Sequence, residues 1–388
     1  MWYLTEVMLE QPKPRVLVLY IFSNTDPEYI NNLRFFVREG MRPDDGCDYY
    51  IVIQTDNQDE APNIEFPALP ENARYIIHKN ECYDWGTFGW VLKKKVHTSK
   101  YYRFIFMNSS IRGPYFPSFL KGNMHWTEPF LSKLNDEVKL VGPTISCEGA
   151  PLHKGDDSVS RRNPHVQSYL VATDRVGLEI IMASRKTLGC YDEIQEVIYW
   201  SELGVSHAIL EAGFNIDSLM LRYQGVDWRR KENWNCNDRM NPYLAKNYDG
   251  VFVNPLEVLF VKVKDQHAEG HVGTSTLARK YQQWMEDEKS VSRSISANAA
   301  GASLSTRVLE ICSMQFQAKG CLDIDYYKEK NPDVPKEWSS QETYNHFIAF
   351  GQFESRKFRL NCDDKIQTYT KKLAAESRAS VQQTHRFD

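Results

Sequence analysis

The sequence has no long apolar run, no excess of basic residues and no leading secretory pattern. No stretch reaches the roughly 18 apolar residues that a membrane helix needs, and no basic segment followed by an apolar one opens the chain. With 47 basic and 51 acidic residues, the net charge of −4 argues against a general nucleic-acid-binding surface. These absences predict a chain with no transmembrane segment and no nucleic-acid partner.

The eight cysteines are scattered, without a C-x-x-C pair or a zinc spacing. A chain of 388 residues can bury a sufficient core without cross-links, so reduced thiols are the favoured interpretation. A bridge among Cys312, Cys321 and Cys362 stays open as an alternative, because these residues flank a compact C-terminal segment.

What the sequence does contain is an alternation of short apolar runs and amphipathic stretches. This pattern is typical of an α/β fold with a mostly parallel sheet flanked by helices. Strands are predicted at 15–22, 48–55, 73–80, 101–107 and 138–145, and a further strand with its following helix at 168–183. Helices are predicted at 27–41, 84–96 and 191–214, and 250–264 closes this part of the chain.

The composition changes towards the C-terminus. Residues 286–304 are small, polar and aperiodic, as in a linker, and a compact aromatic-containing segment follows them. The predicted organisation is one large domain over 1–285, a linker over 286–304, a small helical module over 305–365 and a tail over 366–388.

Polar residues follow three of the predicted strands where each strand ends. Open α/β sheets bind ligands at the carboxyl ends of their strands, so these residues are expected to form one polar rim. Two structural alternatives stay open: Asp84 as a helix cap, and 108–110 as a side-chain-capped turn. The residues are "SNTD" at 23–26, then Asn80, Asp84, Gly86 and Thr87, then Asn108, Ser109, Ser110 and Arg112.

Two of these segments, "NECYDWGTFGWVL" and "YRFIFMNSSIRGPYFP", resemble the paired motifs of the rhamnan-synthesis-F-like glycosyltransferases. "HVQSYLVATDRVGL", "SELGVSHAILEAGFNIDSLM" and "NPLEVLFVK" match further segments of that family in order, so the resemblance covers residues 14 to 265. It implies a GT-A fold, which is Rossmann-like. It also implies an enzyme that transfers a hexose or deoxyhexose, such as rhamnose, from a nucleoside diphosphate sugar to a glycan or glycoprotein acceptor.

The resemblance assigns the donor side of the site to Asp84, Gly86, Thr87, Asn108, Ser109, Ser110 and Arg112. GT-A enzymes usually hold Mn²⁺ or Mg²⁺ with an Asp-x-Asp element, which suits hard cations. Here Asn108-Ser109-Ser110 stands in its place, leaving Asn108 and Ser110 as candidate metal ligands. The Arg112 guanidinium is a second means of neutralising the phosphates.

On the acceptor side, Glu202 matches the glutamate of the family's E-x-G-x-S segment and is the candidate catalytic base. Its alternative is a first-turn helix glutamate. His165, Gln167 and Ser168 offer hydrogen-bond donors and acceptors for sugar hydroxyls. The alternative is that they are ordinary polar residues of an edge strand. The indole of Trp228 is a candidate sugar-stacking surface, with packing as its alternative.

Two acidic residues outside this set are assigned structural roles. Asp174 is predicted to cap a helix, with a place in the same cleft as the less favoured alternative, and Glu257 is predicted to pair with Lys262. Contact between Lys262 and a phosphate is the less favoured alternative.

The C-terminal module resembles a small repeat appended to glycosyltransferases, carried by "DIDYYKEKNPDV" and "HFIAFGQFESR". Tyr326, Tyr327, Phe347 and Phe350 are its predicted core, and His346 and Arg356 are predicted internal ties. The expected location is the cytoplasm, or the Golgi lumen if an N-terminal anchor precedes the sequence. A catalytically inactive glycan- or nucleotide-sugar-binding scaffold on the same fold is the alternative function.

Overall fold

The computed structural model describes residues 15–56, 62–116, 120, 124–151, 163–244, 246–248, 250–265, 272–299, 322–347 and 356–359. Its strands are β1 Arg15–Phe22, β2 Cys47–Thr55, β3 Ala73–Lys79, β4 Tyr101–Asn108, β5 Ile111–Arg112, β6 Val138–Gly142, β7 Ile145–Ser146, β8 His165–Val166, β9 Leu170–Asp174, β10 Asn215–Ser218 and β11 Val261–Lys262.

Seven strands form a central sheet in the order β10-β6-β9-β4-β1-β2-β3. Its neighbouring strands are parallel except where β9 runs antiparallel to β4 and β6. β5 pairs with β11, and β7 with β8, in two small antiparallel ladders. The predicted α/β architecture with a mostly parallel sheet is confirmed, and it is compatible with a Rossmann-like fold.

Helices flank this sheet. Among the described residues, 3₁₀ turns occur at Thr98–Lys100 and Leu221–Tyr223, and also within Lys231–Arg239, where a kink at 235–238 interrupts the helical backbone. A π-helical segment, Val197–Glu202, joins α5 to α6. The α-helices are α1 Glu28–Gly40, α2 Tyr83–Lys94, α3 Glu128–Leu131, α4 Arg175–Ala183, α5 Ile194–Glu196, α6 Leu203–Glu211, α7 Pro255–Val258, α8 Val272–Ala299, α9 Ile324–Lys330 and α10 Ser340–His346.

The central strands form because their sequences are apolar on both faces, as in a sheet that is covered by helices on each side. Six consecutive residues of β1, from Leu17 to Phe22, are buried. β1 pairs with β2 on one side and with β4 on the other, so the strand order reverses beside β1. A crevice at such a switch point is the usual ligand site of an open α/β sheet.

Two disulfide bonds join distant parts of the sequence, Cys82 to Cys190 and Cys147 to Cys236. The prediction of reduced thiols was therefore wrong for these four residues. The first pair is separated by 108 positions in the sequence and the second by 89. Sequence spacing did not reveal them, because only the fold brings the Cα atoms to 4.3 and 5.4 Å. Cys47 is free and buried. Cys312, Cys321 and Cys362 lie outside the described residues.

The chain divides into two compact units, Met1–Met285 and Glu286–Asp388. The division falls within α8, so the segment predicted as a linker, 286–304, is helical up to Ala299. No helix in the described ranges is both long and apolar enough to cross a membrane.

The second unit has its own small apolar core. Leu322, Tyr327, Val334 and Phe347 are its buried members. The predicted tie at His346 is confirmed by a 3.2 Å contact between its Nδ1 and the Tyr327 hydroxyl. Arg356 pairs with Asp333 at 2.6 Å. Tyr326 instead lies under the Arg359 guanidinium, and Phe350 lies outside the described residues.

Candidate functional site

A cavity of about 600 Å³ lies at the carboxyl ends of the central strands. The ends of β1, β2, β3 and β4 all contribute to it, so the expected polar rim is confirmed. Its walls combine hydroxyl, amide, carboxylate and ammonium groups. The lining residues include Ser23, Thr25, Gln54, Asn80, Glu81, Cys82, Tyr83, Asp84, Asn108, Ser109, Ser110, Ser168, Tyr169, Tyr191, Asp192, Glu202, Lys262 and Lys264.

The end of β4 and the first turn of α2 meet through a hydrogen bond in this cavity. Asn108 donates from Nδ2 to the Asp84 carboxylate at 2.8 Å. Asp84 lies in the first turn of α2 and also accepts from the Trp85 amide at 3.0 Å. It is not the cap, since Cys82 occupies that position with a φ of +65°. The sequence motif around Asp84 and the one around Asn108 therefore share one wall.

Two predicted donor residues lie behind this wall. Thr87 is fully buried, donates to the Tyr83 carbonyl at 2.6 Å and accepts from Gln54. Gly86 lets α2 approach a neighbouring segment: a Cβ at this position would lie 2.5 Å from the Cβ of Cys82 and 2.9 Å from the Gly189 carbonyl. Both residues thus hold the wall in place without lining the cavity.

Arg112 also lies outside the lining of the cavity. Its side chain is buried, and its guanidinium donates to Asn32 at 2.9 Å, to Gln282 at 3.0 Å and to Glu28 at 2.6 Å. A guanidinium engaged by three partners is not free to bind a phosphate. Arg112 therefore stabilises the surrounding structure and does not make the predicted contact with the sugar nucleotide. Asn32 in turn donates to the carbonyl of Ser109.

A second cavity of about 260 Å³ adjoins the first. Three residues line both: Ser168, Glu202 and Lys262. Glu202 ends the π-helical segment and accepts a hydrogen bond from the Ser168 hydroxyl at 2.8 Å. It therefore lies within a continuous helical stretch, not in a first turn, and its carboxylate stands where the two cavities meet. Interruptions of π type inside helices are frequent at functional sites.

Burial shifts the pKa values of the charged groups at this junction. Desolvation raises the pKa of the Asp84 carboxyl. Desolvation also raises the pKa of Glu202, and the negative charge of Asp84 adds to that effect. The pKa of the Lys262 ammonium is lowered by desolvation, against the attraction of Glu202. Opposed shifts in one cleft are typical of functional sites.

His165 and Gln167 line the smaller cavity beside Ser168. Desolvation lowers the pKa of His165 to about 4, so its ring is neutral near pH 7. Its Nδ1 is buried and has no hydrogen-bond partner within the part of the chain that is described. Gln167 accepts from Thr144 at 2.7 Å and donates to Asn241 at 3.3 Å. Three of the four residues predicted to contact an acceptor, His165, Gln167 and Ser168, therefore lie together in this cavity.

Trp228 is the exception among the predicted acceptor residues. Its side chain is 1% exposed and packs edge-on against Tyr223, with the ring centroids 5.3 Å apart. Buried on all sides, its indole has no free face on which a sugar could stack. Trp234 donates to the Trp228 carbonyl at 2.8 Å and holds the same loop.

Two structural assignments from the sequence were tested by the hydrogen bonds. Asp174 caps α4 by accepting from the Gly177 amide at 2.9 Å, as predicted. Glu257 instead accepts from the Leu221 amide and the Tyr248 hydroxyl, so the expected pair with Lys262 does not form.

Lys262 and Lys264 are the functional candidates that sequence reasoning undervalued or missed. Both line the larger cavity, and the Lys262 ammonium lies 5.6 Å from the centre of the Tyr169 ring. The available signal was the alternation "VKVK" at 261–264, which in an extended segment sends both lysines to one side. That signal has no meaning until the partner strand of β11 is known.

The two predicted metal ligands, Asn108 and Ser110, are hydrogen-bonded to each other. Asn108 Oδ1 accepts from the Ser110 amide at 3.1 Å and from the Ser110 hydroxyl at 2.6 Å. An amide oxygen has two lone pairs, so this one has no further capacity. Over the residues with described positions, no group of three His, Cys, Asp or Glu side chains is arranged to hold a metal ion. Ser110 Oγ is the donor in its contact with Asn108 and keeps its lone pairs, but one hydroxyl oxygen beside a saturated amide oxygen does not supply the ligands that Mg²⁺ or Mn²⁺ takes from a protein.

A scan of the sequence against protein-family models finds no match, and a search of curated proteins finds no significantly similar sequence.

Proposed function

We propose that this chain is a glycosyltransferase of GT-A type that uses a nucleoside diphosphate sugar as donor and a glycan as acceptor. One observation carries the proposal: two cavities at the carboxyl edge of the sheet meet at the Glu202 carboxylate. A transferase must bring two substrates to one reacting centre and hold a proton acceptor there. The proposed donors are hexose or deoxyhexose nucleotides, with rhamnose among the sugars.

The donor is assigned to the larger cavity. Its volume of about 600 Å³ lies within the range of small-molecule sites. Hydroxyl and amide groups from Ser23, Thr25 and Gln54 supply neutral partners for the nucleoside. Asp84 and Asn108, already joined by their hydrogen bond, present a fixed polar edge to the sugar end of the donor.

The acceptor is assigned to the smaller cavity, where His165, Gln167 and Ser168 face the sugar hydroxyls. In the proposed reaction one acceptor hydroxyl attacks the anomeric carbon, and its oxygen forms the new glycosidic bond. The bond between that carbon and the phosphate oxygen breaks, and its electron pair leaves with the diphosphate. Glu202 takes the hydroxyl proton, a role for which its raised pKa is suitable.

The two disulfide bonds bear on the proposed location. Stable disulfides persist in oxidising compartments and are rare in the cytosol. Cys82–Cys190 and Cys147–Cys236 therefore favour the Golgi lumen over the cytoplasm as the place where the protein works.

Thermal-shift measurements with UDP-, GDP- and dTDP-sugars test the donor assignment, because a ligand of the native state raises Tm by mass action. At least one of these donors is expected to stabilise the protein, and Asp84→Ala and Asn108→Ala are expected to abolish the shift. Asn31→Ala, on the exposed face of α1, is the matched control and is expected to retain it. A shift that persists in both cavity variants would move the donor site elsewhere.

A catalytically inactive nucleotide-sugar- or glycan-binding scaffold is the second candidate. It is favoured by the hydrogen bonds that fill Asn108 Oδ1, in the place where GT-A enzymes usually carry an Asp-x-Asp element. Nucleoside diphosphate release separates the two functions. A transferase releases the diphosphate when donor and acceptor are present together, whereas a scaffold binds the donor and releases none.

A further inference from the structure

Two lysines, Lys262 in β11 and Lys264 just after it, line the larger cavity. Along 261–264 the side chains alternate between the buried Val261 and Val263 and the partly exposed Lys262 and Lys264. Lys262 reaches the junction of the two cavities, since it lines both of them. The ammonium groups therefore present two positive charges to one ligand.

The backbone that carries these lysines is fixed from both sides. β11 pairs with β5, and the Val263 amide donates to the Ser110 carbonyl at 3.0 Å. The buried Asn32 amide donates at 2.9 Å to the carbonyls of both Ser109 and Val263. The segment that carries the two lysines is thus tied to Ser109 and Ser110, which directly follow Asn108. Groups held in place before the reaction stabilise developing charge at the least cost in reorganisation.

The carboxylates around the cavity attract Lys262 without forming an ion pair with it: the charges of Glu202, Asp84 and Glu148 all favour its ammonium form. No ion pair to Lys262 or Lys264 occurs among residues whose positions are described. Glu81 and Asp192 are exposed at the rim, where solvent screens them. Asp84 is held by Asn108 and by the Trp85 amide. An anion that enters the cavity would therefore meet two unpaired ammonium groups.

We propose that Lys262 and Lys264 bind the diphosphate of the donor, and that this chain neutralises the leaving group without a divalent cation. The inference deepens the proposed function and rests on it for the identity of the donor. Lys262 faces the phosphate oxygen on which charge develops as the sugar–phosphate bond breaks, and Lys264 holds the adjacent phosphate. The pair takes the part that a metal ion plays in enzymes with an Asp-x-Asp element.

Calorimetric titration with inorganic pyrophosphate in the presence of EDTA tests the site directly. The wild-type chain is expected to bind pyrophosphate under these conditions. Lys262→Gln and Lys264→Gln are each expected to lower the affinity about tenfold or more, since hydrogen bonds to charged groups are the strong ones. Lys262→Arg is expected to restore most of it, which a loss of folding would not allow. Lys93→Gln, on the exposed face of α2, is expected to bind like the wild type.

Failure of the inference can be told apart from failure of the proposed function by measuring donor turnover on the same proteins. Turnover that requires Mn²⁺ or Mg²⁺ and survives both lysine substitutions overturns the inference and leaves the transferase in place. If the chain binds pyrophosphate through the two lysines but binds no nucleotide sugar, the proposed transferase function is refuted and the anion site is retained. Absence of pyrophosphate binding to the wild-type chain in EDTA overturns the inference outright.

Discussion

Replacement of Glu202 by glutamine isolates the proposed proton transfer from the architecture of the site. Glutamine has nearly the same shape, and its carbonyl oxygen can still accept the hydrogen bond that Ser168 donates at 2.8 Å. What it loses is the ability to take a proton. Glu202→Gln is therefore expected to leave the fold and the donor cavity intact while removing the base.

The expected magnitude follows from that single loss. General base catalysis contributes about 10²- to 10⁴-fold to a rate, equivalent to about 3 to 5 kcal/mol in the barrier. A loss of that size in kcat is expected, with no loss of donor affinity, because removal of a negative charge does not weaken the binding of an anion. The assay is diphosphate release from a nucleotide sugar that stabilises the protein. Glu211→Gln is the control, since Glu211 is exposed on α6 and pairs with His207.

The pH dependence gives a second measurement of the same group. Glu202 must be ionised to act, and its pKa is raised by desolvation and by Asp84, with Lys262 and Lys264 acting in the opposite direction. Activity of the wild type is expected to fall as the pH drops through this raised pKa, at a pH above the usual range for glutamate. The falling limb should be absent from the residual activity of Glu202→Gln.

Stability should change in the direction opposite to activity. Because the pKa of Glu202 is raised in the folded state, its unfavourable contribution is absent below the pKa of the unfolded chain and complete only above the raised pKa of the folded protein. Glu202→Gln is therefore expected to melt no lower than the wild type at pH 8. A variant with wild-type kcat and an unchanged pH profile would refute the assignment of the base, whatever its Tm.

Three further predictions concern the supports of the site. Gly86→Ala places a Cβ 2.5 Å from Cys82 Cβ and is expected to lower the free energy of unfolding by about 1 to 3 kcal/mol in urea denaturation; an unchanged midpoint would contradict the close approach. Arg112→Ala leaves Asn32 without its buried donor and Glu28 with Arg279 alone, and a loss of about 3 kcal/mol is expected. If Arg112→Ala instead weakened donor binding and left the free energy of unfolding unchanged, Arg112 would belong to the donor site after all. Cys82→Ser with Cys190→Ser is expected to cost about 2 to 4 kcal/mol and to weaken donor binding, whereas Cys147→Ser with Cys236→Ser is expected to lower stability but spare the donor. Equal effects of the two pairs on donor affinity would show that the Cys82 bridge has no special relation to the cavity.

The central sheet was predictable because its information is local. β1 was predicted at 15–22 and is found at Arg15–Phe22, since a strand buried on both faces is a continuous apolar run bounded by polar residues. The polar ends of β1, β3 and β4 followed from the same reasoning. Parallel strands place their carboxyl ends at one edge, so Asp84 and Asn108 were expected to lie close together, and they do.

The groups that the sequence did not reveal depend on pairings between distant segments. β11 has only two residues and owes its position to β5, about 150 residues earlier in the chain. Without that pairing, Lys262 had Glu257 as its obvious partner. Arg112 follows the donor motif directly, yet its direction is set by Glu28 and by Gln282 on α8. A motif places a residue along the chain, and only tertiary contacts decide which way its side chain points.

These distant contacts also indicate how the cavity keeps its shape. The Cys82–Cys190 bridge joins the start of α2 to the segment that carries Tyr191 and Asp192, on two sides of the larger cavity. Asn32 joins the turn after Asn108 to the segment that carries the two lysines through two backbone carbonyls. The start of α2, the turn after Asn108 and the segment that carries the two lysines are thus each bonded to a neighbouring segment. The conformational entropy of ordering such a site is lost during folding and not during binding. The raised pKa of Glu202 and the lowered pKa of Lys262 are therefore properties of the protein before any substrate arrives.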